Sequence, residues 1–332
     1  MKRFISLFLA VVLYLALIPA FAEADAPITV IDQIGRTVTL AAPAERIVSS
    51  YYISTATLIA LGLEDRLVGI EMKAEGRTLY QMAAPQIIGL PAVGSGKGIN
   101  VEETAATNPD VVILPKKLAD SAASFEALGI PVVVVDPETK EKFAECVMLL
   151  AEITGTTARA EALLSYDDEQ TAMIEDLVAD LDKPRVYLSS ASGTLVTFPG
   201  GMYQSALIET AGGTCVSAEL AGESQAEVSA EQVVLWNPEY MFYVTGADYT
   251  ATDITTDERL AGVAAIENDN VYQFPSAIES WDYPTPSSIL GILYLAHMLH
   301  PDVYTEDQYV QAATDFYRTF FDIDVTKEEI GL

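Results

Sequence analysis

The chain has 332 residues, half of them hydrophobic, with 18 basic against 48 acidic side chains and a formal net charge of −30. So negative a molecule repels phosphate backbones, which excludes non-specific nucleic-acid binding, and the excess acidity speaks to solubility rather than to fold. The length suffices for two domains of ordinary size.

The first residues, MKRFISLFLAVVLYLALIPAFA, set Lys2 and Arg3 ahead of an apolar run over 4–18, broken by Pro19 and followed by Ala20-Phe21-Ala22. This is the pattern of a secretory signal peptide over 1–22, and the run is shorter than the ~20 apolar residues of a spanning helix. It predicts an exported protein, periplasmic or extracellular. With no cysteine near residue 22, a lipid anchor is not expected. Removing Lys2 and Arg3 leaves 16 basic residues against 48 acidic ones, a net charge of −32.

Next, ITVIDQIGRTVTL (28–40) alternates apolar and polar residues around Gly35 and predicts a β-hairpin. Strands are predicted over 46–49, 67–70, 111–114 and 132–135, and helices over 54–61, 101–107 and 119–128. Ser54 or Thr55 is the expected cap of the first helix. The strand runs are wholly apolar, as in a parallel sheet covered on both faces by helices. Residues 139–182 carry no strand signal. One helix is expected over 140–153. A second, over 157–181, has apolar positions three and four apart and spans roughly 37 Å at 1.5 Å per residue. After Lys183-Pro184 the alternation restarts, with strands over 185–189, 240–244 and 271–274 and helices over 203–211, 230–235, 289–300 and 306–321. The reading is therefore an N-terminal α/β lobe (27–138), a helical linker (139–182) and a C-terminal α/β lobe (183–332).

Few motifs carry chemistry. GSGKGINVEE (94–103) resembles half a phosphate-binding loop, but Lys97 is followed by Gly98 instead of a hydroxyl residue, and Pro91 stands where the motif needs its first glycine. A nucleotide site is not expected. Cys146 and Cys215 could form a disulfide after export or remain two buried thiols. His297 and His300 lie three apart on a helix and read as packing and helix-end residues. No Cys/His cluster has zinc spacing, and no G-x-S-x-G supplies a hydrolase nucleophile. A directly bound free metal ion, a cofactor and an enzyme are all disfavoured.

In order and spacing, DQIGRTVTL, AERIVSSYYISTATLIALGLEDRLVGI, GSGKGINVEETAATNPDVVI, FEALGIPVVVVD, the long helix and ESWDYPTPSSILGILYLAHML together make the chain resemble a known family. These are the substrate-binding proteins of ABC importers for iron-siderophore, haem and cobalamin-type ligands. The resemblance implies two Rossmann-like α/β lobes bridged by a single long α-helix, a ligand cleft between the lobes, and delivery to a membrane permease dimer by a monomer. It also implies one permease-docking glutamate per lobe, which maps onto Glu102 in INVEE and Glu231 in VSAEQVV.

In open α/β sheets, ligands bind beyond the carboxyl ends of the strands. The loops there hold Ser50, Tyr51 and Tyr52, then Lys73, Lys97, Lys116 and Lys117, whereas the chain after Arg185 has only Arg259, Arg318 and Lys327 as basic residues. A local basic cluster in an acidic protein predicts an anionic ligand. The C-terminal loops offer Phe198, Tyr203, Tyr249, Trp281 and Tyr283 for a flat or greasy ligand body, although Trp281 could equally pack in the wall. A ferric siderophore suits both sets. Haem is the next candidate, with Tyr51, Tyr52 or Tyr203 as phenolate. A cobalamin-type ligand would rest on the aromatics, and molybdate or tungstate on the backbone N–H groups of 49–52 with lysine.

Overall fold

The computed structural model describes residues 26–222, 224–275 and 277–332. The signal-peptide reading falls on 1–22, outside the described residues.

The hairpin forms as expected, with β1 (Ile28–Ile31) antiparallel to β2 (Thr37–Leu40). The N-terminal sheet contains β3 (Ile47–Ser49), β4 (Leu67–Glu71), β5 (Ala92–Ser95), β6 (Gly98–Ile99), β7 (Val111–Pro115) and β8 (Val132–Val135). They are ordered β6-β5-β4-β3-β7-β8, parallel throughout except for β6. Every residue of β7 and β8 is buried, which explains their unbroken apolar spelling. Strand order reverses between β3 and β7, the place where the loops beyond the strands diverge and leave a crevice.

The C-terminal sheet contains β9 (Arg185–Ser190), β10 (Gly193–Thr197), β11 (Thr214–Cys215), β12 (Ala226–Glu227), β13 (Tyr240–Tyr243) and β14 (Val271–Gln273). Its path is β12-β10-β9-β13-β14, and β11 pairs with β9. β9, β11, β13 and β14 run parallel, while β10 and β12 form an antiparallel extension. The sequence shows no clear signal for that extension, because its strands are short and only partly buried.

Between the sheets run helix Lys140–Thr154 and the linking helix Thr157–Val178. The first ends on Gly155 in the left-handed conformation, which a glycine adopts without a Cβ penalty. The linking helix ends three residues before the expected 181. It buries Ala160, Leu163, Ile174 and Val178, and packs against Lys140–Thr154 and Ile289–Leu299. Arg159 anchors it: Nε donates to Ala60 O at 2.6 Å and a terminal nitrogen to Phe320 O at 2.9 Å. A cation at these carbonyls satisfies the ends of helices Tyr52–Ala60 and Glu306–Phe321 at once.

Two local expectations change, and one open alternative is decided. Helix Tyr52–Ala60 starts two residues early, and Ser54 and Thr55 are buried within it instead of capping it. Residues 116–121 form a 3₁₀ turn before the short helix Ala122–Glu126. Cys146 and Cys215 are both buried free thiols, so no bridge links them. Burial pushes the Cys146 thiol up to about 12.

Candidate functional site

A cleft of ≈ 530 Å³ lies between the lobes. The N-terminal side is built from the carboxyl ends of three neighbouring strands: Tyr51 follows β3, Lys116 and Lys117 follow β7, and Asp136, Glu138 and Thr139 follow β8. Lys142, from the first turn of the next helix, completes this wall. The opposing side is Gly201 to Gln204, where helix Tyr203–Thr210 begins, together with Tyr283 and Pro284. Among the described residues, all the lysines of the cleft stand on one wall and the facing wall carries no charged side chain.

Asp136 organises that wall. Its Oδ2 accepts from Lys116 Nζ at 2.8 Å and from Lys142 Nζ at 3.0 Å. Burial works to raise the carboxyl, but the two lysine hydrogen bonds outweigh it and hold Asp136 below its usual range. Lys117 lies against Gly96, where an added Cβ would fall 2.6 Å from its Nζ. The glycine in GSGKG thus makes room for the Lys117 head.

The tyrosines stay protonated. Burial, and then the neighbouring carboxylates of Glu138 and Asp136, push Tyr51 well above its ordinary value; burial does the same for Tyr52 and Tyr203.

Tyr52 belongs to a second, smaller cleft of ≈ 150 Å³ with Arg77, Tyr80 and Glu279. Glu71, buried at the end of β4, accepts from Thr55 Oγ1 and Tyr80 OH, each at 2.7 Å. Arg77 Nε lies 3.1 Å from Glu71 Oε1 as an ion pair and not a directed hydrogen bond, since Nε meets no acceptor in line. The guanidinium sits 4.6 Å over the Tyr52 ring, whose edge meets Tyr283 across the lobes at 6.4 Å. The backbone also crosses here, with Leu79 N donating to Ile278 O at 3.1 Å. The seam between the two clefts is therefore a polar and aromatic stitch.

Several expected residues lie elsewhere. Ser50 is 1% exposed and spends both its N–H and its hydroxyl on Ile113 O. Phe198 is core. Trp281 is fully buried and donates to Tyr317 OH at 2.9 Å, so it packs the wall behind Tyr283. Lys73 and Lys97 are exposed in loops outside both clefts, Lys73 with a left-handed φ of 68° and Lys97 in the β5–β6 turn. Tyr249 is bound to Ser190 O at 2.6 Å, away from the cleft. His297 and His300 each sit 3.1 Å from a backbone carbonyl, of Tyr304 and Gly212. Lys142 and Gln204 were missed. Lys142 lies inside a helix pattern instead of at a strand end, and Gln204 gave no signal. Among the described residues, no group of three His, Cys, Asp or Glu is arranged to hold a metal ion.

Glu102 and Glu231 are both exposed, each in the first turn of a helix on its own lobe. Asn100 and Ser229 cap those helices through bonds to Glu103 N and Gln232 N. Backbone N–H groups at the helix start, then the Ser229 hydroxyl, hold Glu231 below its usual range. Leu235, one turn further along that helix, is 77% exposed.

These two lobes, their linking helix and the cleft at the switch point define a binding protein. The chain belongs to the periplasmic binding protein family, whose model matches residues 47–278. It is a solute-binding protein of the ABC-importer class, not an enzyme, and its partner is an importer permease. It is 24% identical to the molybdate-binding protein MolA of Haemophilus influenzae, over 90% of this chain and 92% of that one. It is 25% identical to a cobalamin-binding protein of Halobacterium salinarum, over 82% and 74% of the two chains. The crystal structure of a periplasmic solute-binding protein from Veillonella parvula superimposes with a TM-score of 0.79 at 25% identity, over 91% and 95%. Among the described residues, no helix is long and apolar enough to cross a membrane.

Proposed function

We propose that this protein captures an iron complex, a ferric siderophore, in the inter-lobe cleft and delivers it to its permease as an exported monomer. The observation that carries this is the cleft itself. Lys116, Lys117 and Lys142 face Tyr203, Gln204 and Tyr283 across ≈ 530 Å³, within the ~300–1,000 Å³ usual for sites that enclose an organic ligand. Ammonium groups suit the anionic oxygens of a chelate, and tyrosine rings suit its organic shell. Bare metal ions would need a ligand cluster, and none stands among the described residues. Glu102 and Glu231 dock on the permease, one per lobe, with Leu235 beside Glu231 on the same face.

The second reading is an oxyanion such as molybdate, favoured by the likeness to MolA along nearly the whole chain. Against it stands the size of the cleft, many times that of a tetrahedral oxyanion. Thermal-shift measurements on residues 23–332 with ferric catecholate, hydroxamate and citrate complexes, haemin, cobalamins, molybdate and tungstate test both. A ligand at a hundredfold excess over Kd stabilises by ~2.7 kcal/mol. A shift with a ferric chelate is expected; a shift with molybdate alone overturns the siderophore reading.

A further inference from the structure

We propose that Asp136 sets the charge preference of the cleft, trimming its lysines to a small net positive charge so that it selects a weakly charged chelate over a multiply charged one. This rests on the reading of the cleft as an anion site, and goes beyond it by naming the ligand's charge class and the residue that decides it. Among the described residues the lining includes three lysines and two carboxylates, Asp136 and Glu138, and no other charged side chain, a formal sum of one positive charge.

Asp136 is the more influential of the two acids. It is 6% exposed and sits directly on two of the lysines, whereas Glu138 is exposed to screening water. One carboxylate oxygen shared by Lys116 and Lys142 does two things. It draws two ammonium groups from different elements, the turn after β7 and the helix after β8, to one point on the wall. It also removes one unit of the charge that they would otherwise present. A ligand meets a preorganised pair whose attraction for additional negative charge is already partly spent.

Two substitutions move the sum in opposite directions with little change of shape. Asp136→Asn raises it by one, and Lys142→Gln lowers it by one. The probes are two ferric complexes of similar bulk. A tricatecholate chelate is triply negative, because three dianions surround one ferric ion; a trihydroxamate chelate is neutral, because three monoanions do.

Affinities are measured by titration at low and high salt. Loss of lysine positioning in Asp136→Asn weakens the triply negative probe more than the neutral one, so it opposes the rise expected from the added charge and cannot imitate it. The added charge acts only on the tricatecholate, by about three- to tenfold per ligand charge at this range. The tricatecholate-to-trihydroxamate affinity ratio is therefore expected to rise by roughly tenfold or more in Asp136→Asn and to fall in Lys142→Gln, both changes shrinking in high salt. A ratio that stays put in both variants while both affinities drop makes Asp136 a structural residue only and overturns the proposal. If the wild type prefers the tricatecholate to the trihydroxamate at low salt, the stated preference is overturned; if neither the wild type nor Asp136→Asn binds tricatecholate or molybdate, the anion-site reading falls first and this proposal with it.

Discussion

Replacing Asp282 by asparagine should stabilise the protein, and more so as pH rises. Asp282 is 1% exposed at the inter-lobe seam, one residue before Tyr283 in the cleft wall. Its Oδ2 has no hydrogen-bond partner among the described residues, and the nearby Gln204 Nε2 donates to its backbone carbonyl, not to its carboxyl. Burial pushes the carboxyl from 3.8 to about 7, opposed only by a backbone hydrogen bond. Between these values the native state holds a proton that the unfolded chain has released, so stability falls as pH rises. At about 1.4 kcal/mol per pH unit, the full loss above pH 7 is about 4 kcal/mol. Some of it has already occurred at pH 5, so the loss between pH 5 and pH 8 is about 2–3 kcal/mol. With an unfolding entropy near 2.1 cal/mol/K per residue, that is roughly 4 °C in Tm for a chain of this length. The assay is thermal unfolding of wild type and Asp282→Asn, side by side, at pH 5 and pH 8. The difference should widen in favour of the variant by that amount. A difference independent of pH would refute the claim that burial holds a proton on this carboxyl.

Two further outcomes are expected. Glu102→Ala combined with Glu231→Ala should abolish uptake and leave ligand affinity unchanged, because both side chains are exposed outside the cleft; uptake assays on cells and titrations on the purified protein separate the two effects, and a fall in affinity sinks the docking assignment. Trp281→Phe removes the bond to Tyr317 OH and part of a filled core, costing about 1–3 kcal/mol in denaturant melts, while affinity per folded molecule holds.

The core was legible wherever burial was two-sided. Val132–Val135 and Val111–Pro115 are spelled in apolar residues because helices cover both faces, and the three-and-four spacing announced the linking helix. The short β10, β11 and β12 left little trace, since their residues are too few to set a period. In the site, loops after strands pointed to Tyr51, Lys116 and Lys117, which line the cleft. They also pointed to Ser50 and Trp281, because sequence alone does not say which way a loop residue turns. Ser50 turns to the carbonyl of Ile113 and Trp281 to the hydroxyl of Tyr317. Counting lysines caught the basic wall but not its counter-charge. Asp136 is contiguous with the hydrophobic strand β8, and its meeting with Lys116 and Lys142 depends on the β7–β8 pairing and the start of the following helix.

The most direct test of the account is calorimetric titration of a ferric tricatecholate into wild type, Lys117→Ala and Lys97→Ala. Lys117 lines the cleft and has no carboxylate within 4.0 Å among the described residues; Lys97 stands outside the cleft in the β5–β6 turn. The account predicts binding by the wild type, a salt-sensitive loss of affinity in Lys117→Ala of about tenfold, and no change in Lys97→Ala. Equal affinity in all three proteins, or a loss confined to Lys97→Ala, would contradict it.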